Sequence, residues 1–126
     1  MSHPYSFSAR HRLHNTAEFD RVYRTGRRAG DGLFAVNVLA NGLDHPRLGM
    51  SVSTKTVGNS VCRNRVRRLI REVFRHRSPE FPAVDFVVTS RPGARAADRP
   101  ALLTSLERLF VEAVRKAAAP PAPPRP

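Results

Sequence analysis

Residues 58–77 read GNSVCRNRVRRLIREVFRHR and constrain the chain more than any other stretch, because two opposed surfaces are written into one helical period. Seven arginines (Arg63, Arg65, Arg67, Arg68, Arg71, Arg75 and Arg77) stand against a single acid, Glu72, so these 20 residues carry half of the net charge of +12. At 3.6 residues per turn, Cys62, Val66, Leu69, Ile70 and Val73 share one face, with Phe74 at its edge. Arg63, Arg67, Arg68, Arg71 and Arg75 fall on an arc of roughly 140° facing the other way. Solvated surface helices mix signs and gain from acid–base pairs at i,i+4, whereas Arg63, Arg67, Arg71 and Arg75 stack like charges at that spacing, at roughly a few tenths of a kcal/mol per pair. One face is core, and the other is built for a polyanion.

A chain of 126 residues with 40% hydrophobic side chains is one domain with a modest core. A pI near 11.6 calls for an anionic partner: nucleic acid, an anionic membrane surface or an acidic protein. No apolar run approaches the roughly 20 residues of a membrane span, and the first ten residues lack the apolar stretch of a signal peptide, so a cytoplasmic protein is expected. The single cysteine, Cys62, excludes a disulfide framework and reads as a packed thiol on the buried face.

In chain order, residues 1–9 read as a flexible arm, 10–117 as a single nucleic-acid-binding α+β domain and 118–126 as a disordered proline-rich tail. Arg10 and Arg12 lie in a short basic segment ahead of a helix over 16–24, capped by Asn15 or Thr16 and ended by Gly26. Phe19 and Tyr23 share a face of that helix, as core or as a stacking platform for single-stranded bases. Residues 27–32 read as a basic loop. A strand follows over 33–40, and a central strand over 48–53 points Leu48, Met50 and Val52 to the core. Its other face, Gly49, Ser51 and Ser53, is small and polar and makes room for something beside the arginine helix. That helix is capped by Asn59 or Ser60 and closed by Ser78-Pro79. A third strand spans 83–89, a turn lies at Arg91-Pro92-Gly93, and Asp98 caps a last helix to about residue 117. The expected fold is an α+β two-layer sandwich, a small central sheet with helices packed on it.

An independent active site is missing. The ten acids are scattered without a carboxylate dyad, and the five histidines lack the partners and spacing of a metal site. His11 and His14, close together near the basic segment, are read as solvated or phosphate-facing rather than as acid–base catalysts.

The run Arg47-Leu48-Gly49-Met50-Ser51-Val52-Ser53, then Lys55, then Val57-Gly58-Asn59-Ser60-Val61, then residues 63–72 with their Arg63-Asn64-Arg65 signature, resembles the bacterial ribonuclease P protein component. Supporting matches lie in Arg12-Leu13, in Phe19 and Tyr23 with Gly26 behind them, and in the strand of Asp85 ending at Arg91-Pro92; together they span about residues 7 to 115. The resemblance implies an accessory subunit of the endoribonuclease that removes the 5′ leader from precursor tRNA. Catalysis would be carried by the RNA subunit with magnesium; the protein would bind no cofactor or metal of its own and need no obligate protein partner or membrane. It further implies that Arg63, Asn64, Arg65, Arg67, Arg68 and Arg71 bind the catalytic RNA, with Arg10, Arg12 and Arg75 as further basic contacts. The leader cleft would be formed by Phe19, Tyr23, Asn37, Ser51, Ser53 and Lys55. The basic helix would sit in a left-handed βαβ crossover, a hand opposite to the usual one. The rival reading is a ribosomal-type structural RNA-binding protein. A DNA regulator would need a more varied recognition helix, and a self-sufficient nuclease a constellation that is absent.

Overall fold

A computed structural model describes residues 9–118. The arm and tail expected at 1–9 and 118–126 lie, but for Ala9 and Ala118, outside the described residues.

The first helix, α1 (Thr16–Thr25), opens on a capping box: Asn15 accepts from the backbone N–H of Glu18, and Glu18 accepts from that of Asn15. It stops at Gly26, whose N–H donates to Val22 O at 2.9 Å. Strands β1 (Arg27–Gly30), β2 (Phe34–Ala40), β3 (Arg47–Ser51) and β4 (Val84–Ser90) form one sheet in the order β1-β2-β4-β3. The β1–β2 and β2–β4 pairs are antiparallel and the β3–β4 pair is parallel. Two of the sequence expectations are corrected here. Residues 27–30 are an edge strand rather than loop: only Ala29 is buried, and the pairing with β2 is made by the backbone. The strand containing Gly49 is the opposite edge, not the centre, and ends at Ser51, because Ser53 instead caps α2 (Thr54–Val57), a single turn.

Gly58, at φ +99°, makes the left-handed step between α2 and α3 (Ser60–Arg77). Asn59 caps α3 by accepting from Cys62 N at 3.0 Å. Val66, Leu69, Ile70, Val73 and Phe74 are buried as the period predicts. Cys62 is half-buried rather than buried, since it lies in the first turn, ahead of the residues that reach the core. The last helix, α4 (Arg99–Ala118), is capped by Asp98 and buries Leu102, Leu106, Leu109, Phe110 and Ala113. The expected turn at Arg91 is a 3-10 segment, Pro92–Arg95.

Helices pack on the sheet as expected. The main core joins Phe34, Val36 and Val38 of β2 and Phe86 and Val88 of β4 to the apolar faces of α3 and α4. Phe86 and Phe110 meet edge to face at 5.0 Å, an arrangement adding roughly 0.5–1.5 kcal/mol beyond area burial. On the other sheet face α1 sets Val22 against Val87, with Leu13, Phe19 and Leu39 around them. The parallel β3–β4 pair, joined through α3, forms a βαβ unit. Among the described residues no helix is long and apolar enough to cross a membrane.

Candidate nucleic-acid interface

Charge on α3 divides by depth. Val61, Asn64, Arg65 and Arg68 are exposed, whereas Arg63, Arg67, Arg71 and Arg75, spaced four apart, are half-buried. The neighbouring acids are engaged elsewhere: Glu72 with Arg99 at 3.5 Å, and Glu80 and Glu107 with Arg77, which therefore belongs to the seam between α3 and α4. Among the described residues, Arg63, Arg65, Arg67, Arg68, Arg71 and Arg75 meet no carboxylate. The Nε atoms of Arg63 and Arg75 are buried without a hydrogen-bond partner there. Burial, and then the positive fields of Arg67, Arg12 and Arg68, pull the Arg71 pKa below its ordinary value. It stays protonated at neutral pH, so this surface stores unspent hydrogen-bonding and charge.

Because β3 is an edge strand, α1 on one sheet face and α3 on the other approach one another around its rim. The segment at Arg12 and Leu13 runs along that rim, parallel to β3, with Leu13 N donating to Leu48 O at 3.0 Å. Arg12 is thereby delivered to Arg67 and Arg71 around a hollow of about 130 Å³ that also touches Phe19, Gly49 and Met50. On the far side of Phe19 an open cleft of about 460 Å³ is lined by Asn15, Phe19, Asp20, Tyr23, Met50 and Ser51.

The room predicted above Gly49 is taken by Phe19: a Cβ at 49 would stand 2.6 Å from Phe19 Cζ. Tyr23 is 41% exposed, and its hydroxyl lies 3.1 Å from Thr89 Oγ1, which stands the ring on β4. Of the six residues expected in the cleft, the structure brings together Phe19, Tyr23 and Ser51. Ser53 and Lys55 are exposed on and before α2 and do not line it. Asn37 shares the α1-bearing sheet face but is only 8% exposed, and its side chain makes no hydrogen bond among the described residues. Arg10 is turned to Asp44 at 3.2 Å. Asn15 and Asp20, absent from the sequence-based set, also line the cleft: Asn15, Phe19 and Tyr23 lie four apart, and Asp20 follows Phe19 and lies three before Tyr23. Met50 packs on the core face, as its alternation predicts, yet it also reaches the cleft because no strand lies outside β3.

The cleft wall is held by Arg47. Its Nε and Nη2 fork onto Asp85 at 2.8 and 2.7 Å, and Nη1 donates to Glu18 of α1 at 2.8 Å. Asn41 Nδ2 adds a bond of 2.9 Å to Asp85, whose carboxylate is thus satisfied although the residue is 1% exposed. Among the described residues no three His, Cys, Asp or Glu side chains come together to hold a metal ion.

The chain matches the Ribonuclease P family model over residues 7–114. It is 37% identical over 112 residues to the ribonuclease P protein component of Methylococcus capsulatus, covering 89% of this chain and 88% of that protein. It is 41% identical over 105 residues to that of Salmonella paratyphi A, covering 83% and 88%. The fold superposes on the Staphylococcus aureus RNase P protein with a TM-score of 0.78 at 36% identity, covering 82% of this chain and 94% of that one. For the Thermotoga maritima RNase P protein the TM-score is 0.68 at 29% identity, with 82% and 96% covered. An uncompensated basic helix beside an aromatic cleft, on this fold and with these relatives, leads to one conclusion: the chain belongs to the ribonuclease P protein family, as a component of the bacterial type.

Proposed function

We propose that the chain binds the catalytic RNA of ribonuclease P and the 5′ leader of precursor tRNA, and so assists endonucleolytic removal of the leader in the cytoplasm. One observation carries this reading: the basic surface of α3 and the cleft holding Phe19 and Tyr23 meet at a shared wall, so one molecule can engage a structured RNA and a single strand at once. The protein supplies no reacting group. Stacking on an aromatic ring contributes about 1–3 kcal/mol per base, and arginines hold the strand's phosphates. Catalysis belongs to the RNA with its magnesium ions, and clustered guanidinium charge lowers the repulsion between RNA segments that magnesium otherwise has to screen. About five phosphate contacts give a log–log salt slope near −3.5, so a fourfold rise in salt weakens binding on the order of 100-fold.

The test is cleavage of precursor tRNA at low magnesium by bacterial ribonuclease P RNA, with and without the protein. Rescue of RNA-dependent cleavage by a protein that is inert alone is the expected result. An unchanged magnesium requirement would overturn the proposal.

A further inference from the structure

The hollow at the rim of β3 has the composition of an anion site. It is about 130 Å³, room for roughly four waters at 30 Å³ each and hence for one phosphate group. Arg12, Arg67 and Arg71 converge on it, and no carboxylate lines it. Three guanidinium groups, each a rigid planar fork suited to phosphate oxygens, are held together here by the fold. Arg67 and Arg71 come from successive turns of α3, and Arg12 from the backbone hydrogen-bonded to β3.

Its position says which strand the phosphate comes from. Phe19 and Met50 line both this hollow and the aromatic cleft. A strand with a base against Phe19 in the cleft therefore carries a neighbouring phosphate to the hollow. Beyond it a second hollow, lined by Arg12, Arg68, Arg71 and Arg75 with Glu72 at its edge, continues the track along α3. Asn64, Arg65 and Val61 are exposed and line neither hollow.

We infer that Arg12, Arg67 and Arg71 clamp one backbone phosphate of the leader strand, leaving the exposed Asn64 and Arg65, which line neither hollow, to the catalytic RNA. The inference rests on the proposed leader cleft and divides between two RNAs the arginines that the family resemblance assigns to one.

The test uses the reconstituted holoenzyme and precursor tRNAs in which a single neutral methylphosphonate is walked along a long leader. The first arm leaves the protein unaltered. At one linkage the substitution is expected to weaken substrate binding on the order of 10-fold, the scale of a lost charged hydrogen bond. The same linkage should cost nothing further in holoenzyme carrying Arg71→Gln, whereas Arg71→Lys, which keeps the charge, should retain part of the sensitivity. If no leader linkage is sensitive, and Arg71→Gln instead weakens the protein's own affinity for the catalytic RNA, the clamp is overturned. If the unaltered protein fails to favour leader-bearing over leaderless precursor, the proposed function itself has failed and the clamp falls with it.

Discussion

Phe19 closes over Gly49 so tightly that the space of a β-carbon at 49 is occupied by the ring: Cζ and Cε2 would lie 2.6 and 2.8 Å away. A glycine on β3 thus sets how far α1 sinks toward the sheet, and with it the height of the cleft wall. Gly49→Ala should push the half-buried ring outward into the cleft. The expected cost is about 1–3 kcal/mol of stability, read by thermal unfolding, together with weakened binding of leader-bearing precursor. Leaderless tRNA should bind as before.

Tyr23 separates ring from hydroxyl. Tyr23→Phe removes the 3.1 Å bond to Thr89 but keeps the platform, so leader affinity should change by less than about threefold while stability falls by roughly 1 kcal/mol or less. Tyr23→Ala removes the platform and should cost about 1–3 kcal/mol of leader binding. Equilibrium binding with long and short leaders distinguishes the two.

The Arg47 strut is a stability element. Asp85→Ala strands the Arg47 guanidinium in a site where its side chain is only 17% exposed. Breaking one partner of a buried pair costs on the order of 3–5 kcal/mol. Tm should drop by roughly 10 °C or more. Cleft-dependent leader binding should weaken with it, since Arg47 also holds Glu18 of α1.

Glu18 makes stability depend on pH. The backbone N–H of His14 first, with Arg47 and the N–H of Asn15 behind it, outweighs burial and holds its carboxyl below the ordinary value of 4.5. A depressed folded pKa means that the unfolded chain binds the proton more readily. The contribution is therefore present above about pH 4.5 and is lost as pH falls through the folded value. Glu18→Gln should flatten this part of the acid limb in denaturant unfolding across that window, with little change in its shape at neutral pH.

Arg65 is exposed, lines neither hollow and meets no acid among the described residues. Arg65→Gln should reduce the salt slope for binding catalytic RNA by about 0.9. A titration of affinity against salt reads this directly. The slope for the leader's contribution should stay unchanged.

Local chemistry was legible in the linear chain. The period of Val66, Leu69, Ile70 and Val73 against the arginines specified α3, its apolar stripe and its basic face. Asn15 or Thr16, Asn59 or Ser60, and Asp98 announced three helix starts because capping is a matter of a few neighbouring residues; the structure uses Asn15, Asn59 and Asp98. The signature at Arg63-Asn64-Arg65, with its flanks, carried the family. Strand β1 escaped because Arg27–Gly30 has no apolar alternation; its backbone finds β2 only once β2 exists. That β3 lies at an edge follows from strand order, which no local pattern encodes, and it is the open edge that lets α1, α3 and the segment at Arg12 converge. Phe19 filling the space over Gly49, Asn37 sinking from view and Arg47 joining Glu18 to Asp85 are all contacts between residues distant in sequence. The chain by itself determined what each element is and which charges it carries. Tertiary packing decided which side chains share a cavity, because that depends on the order of strands and the closeness of approach between layers.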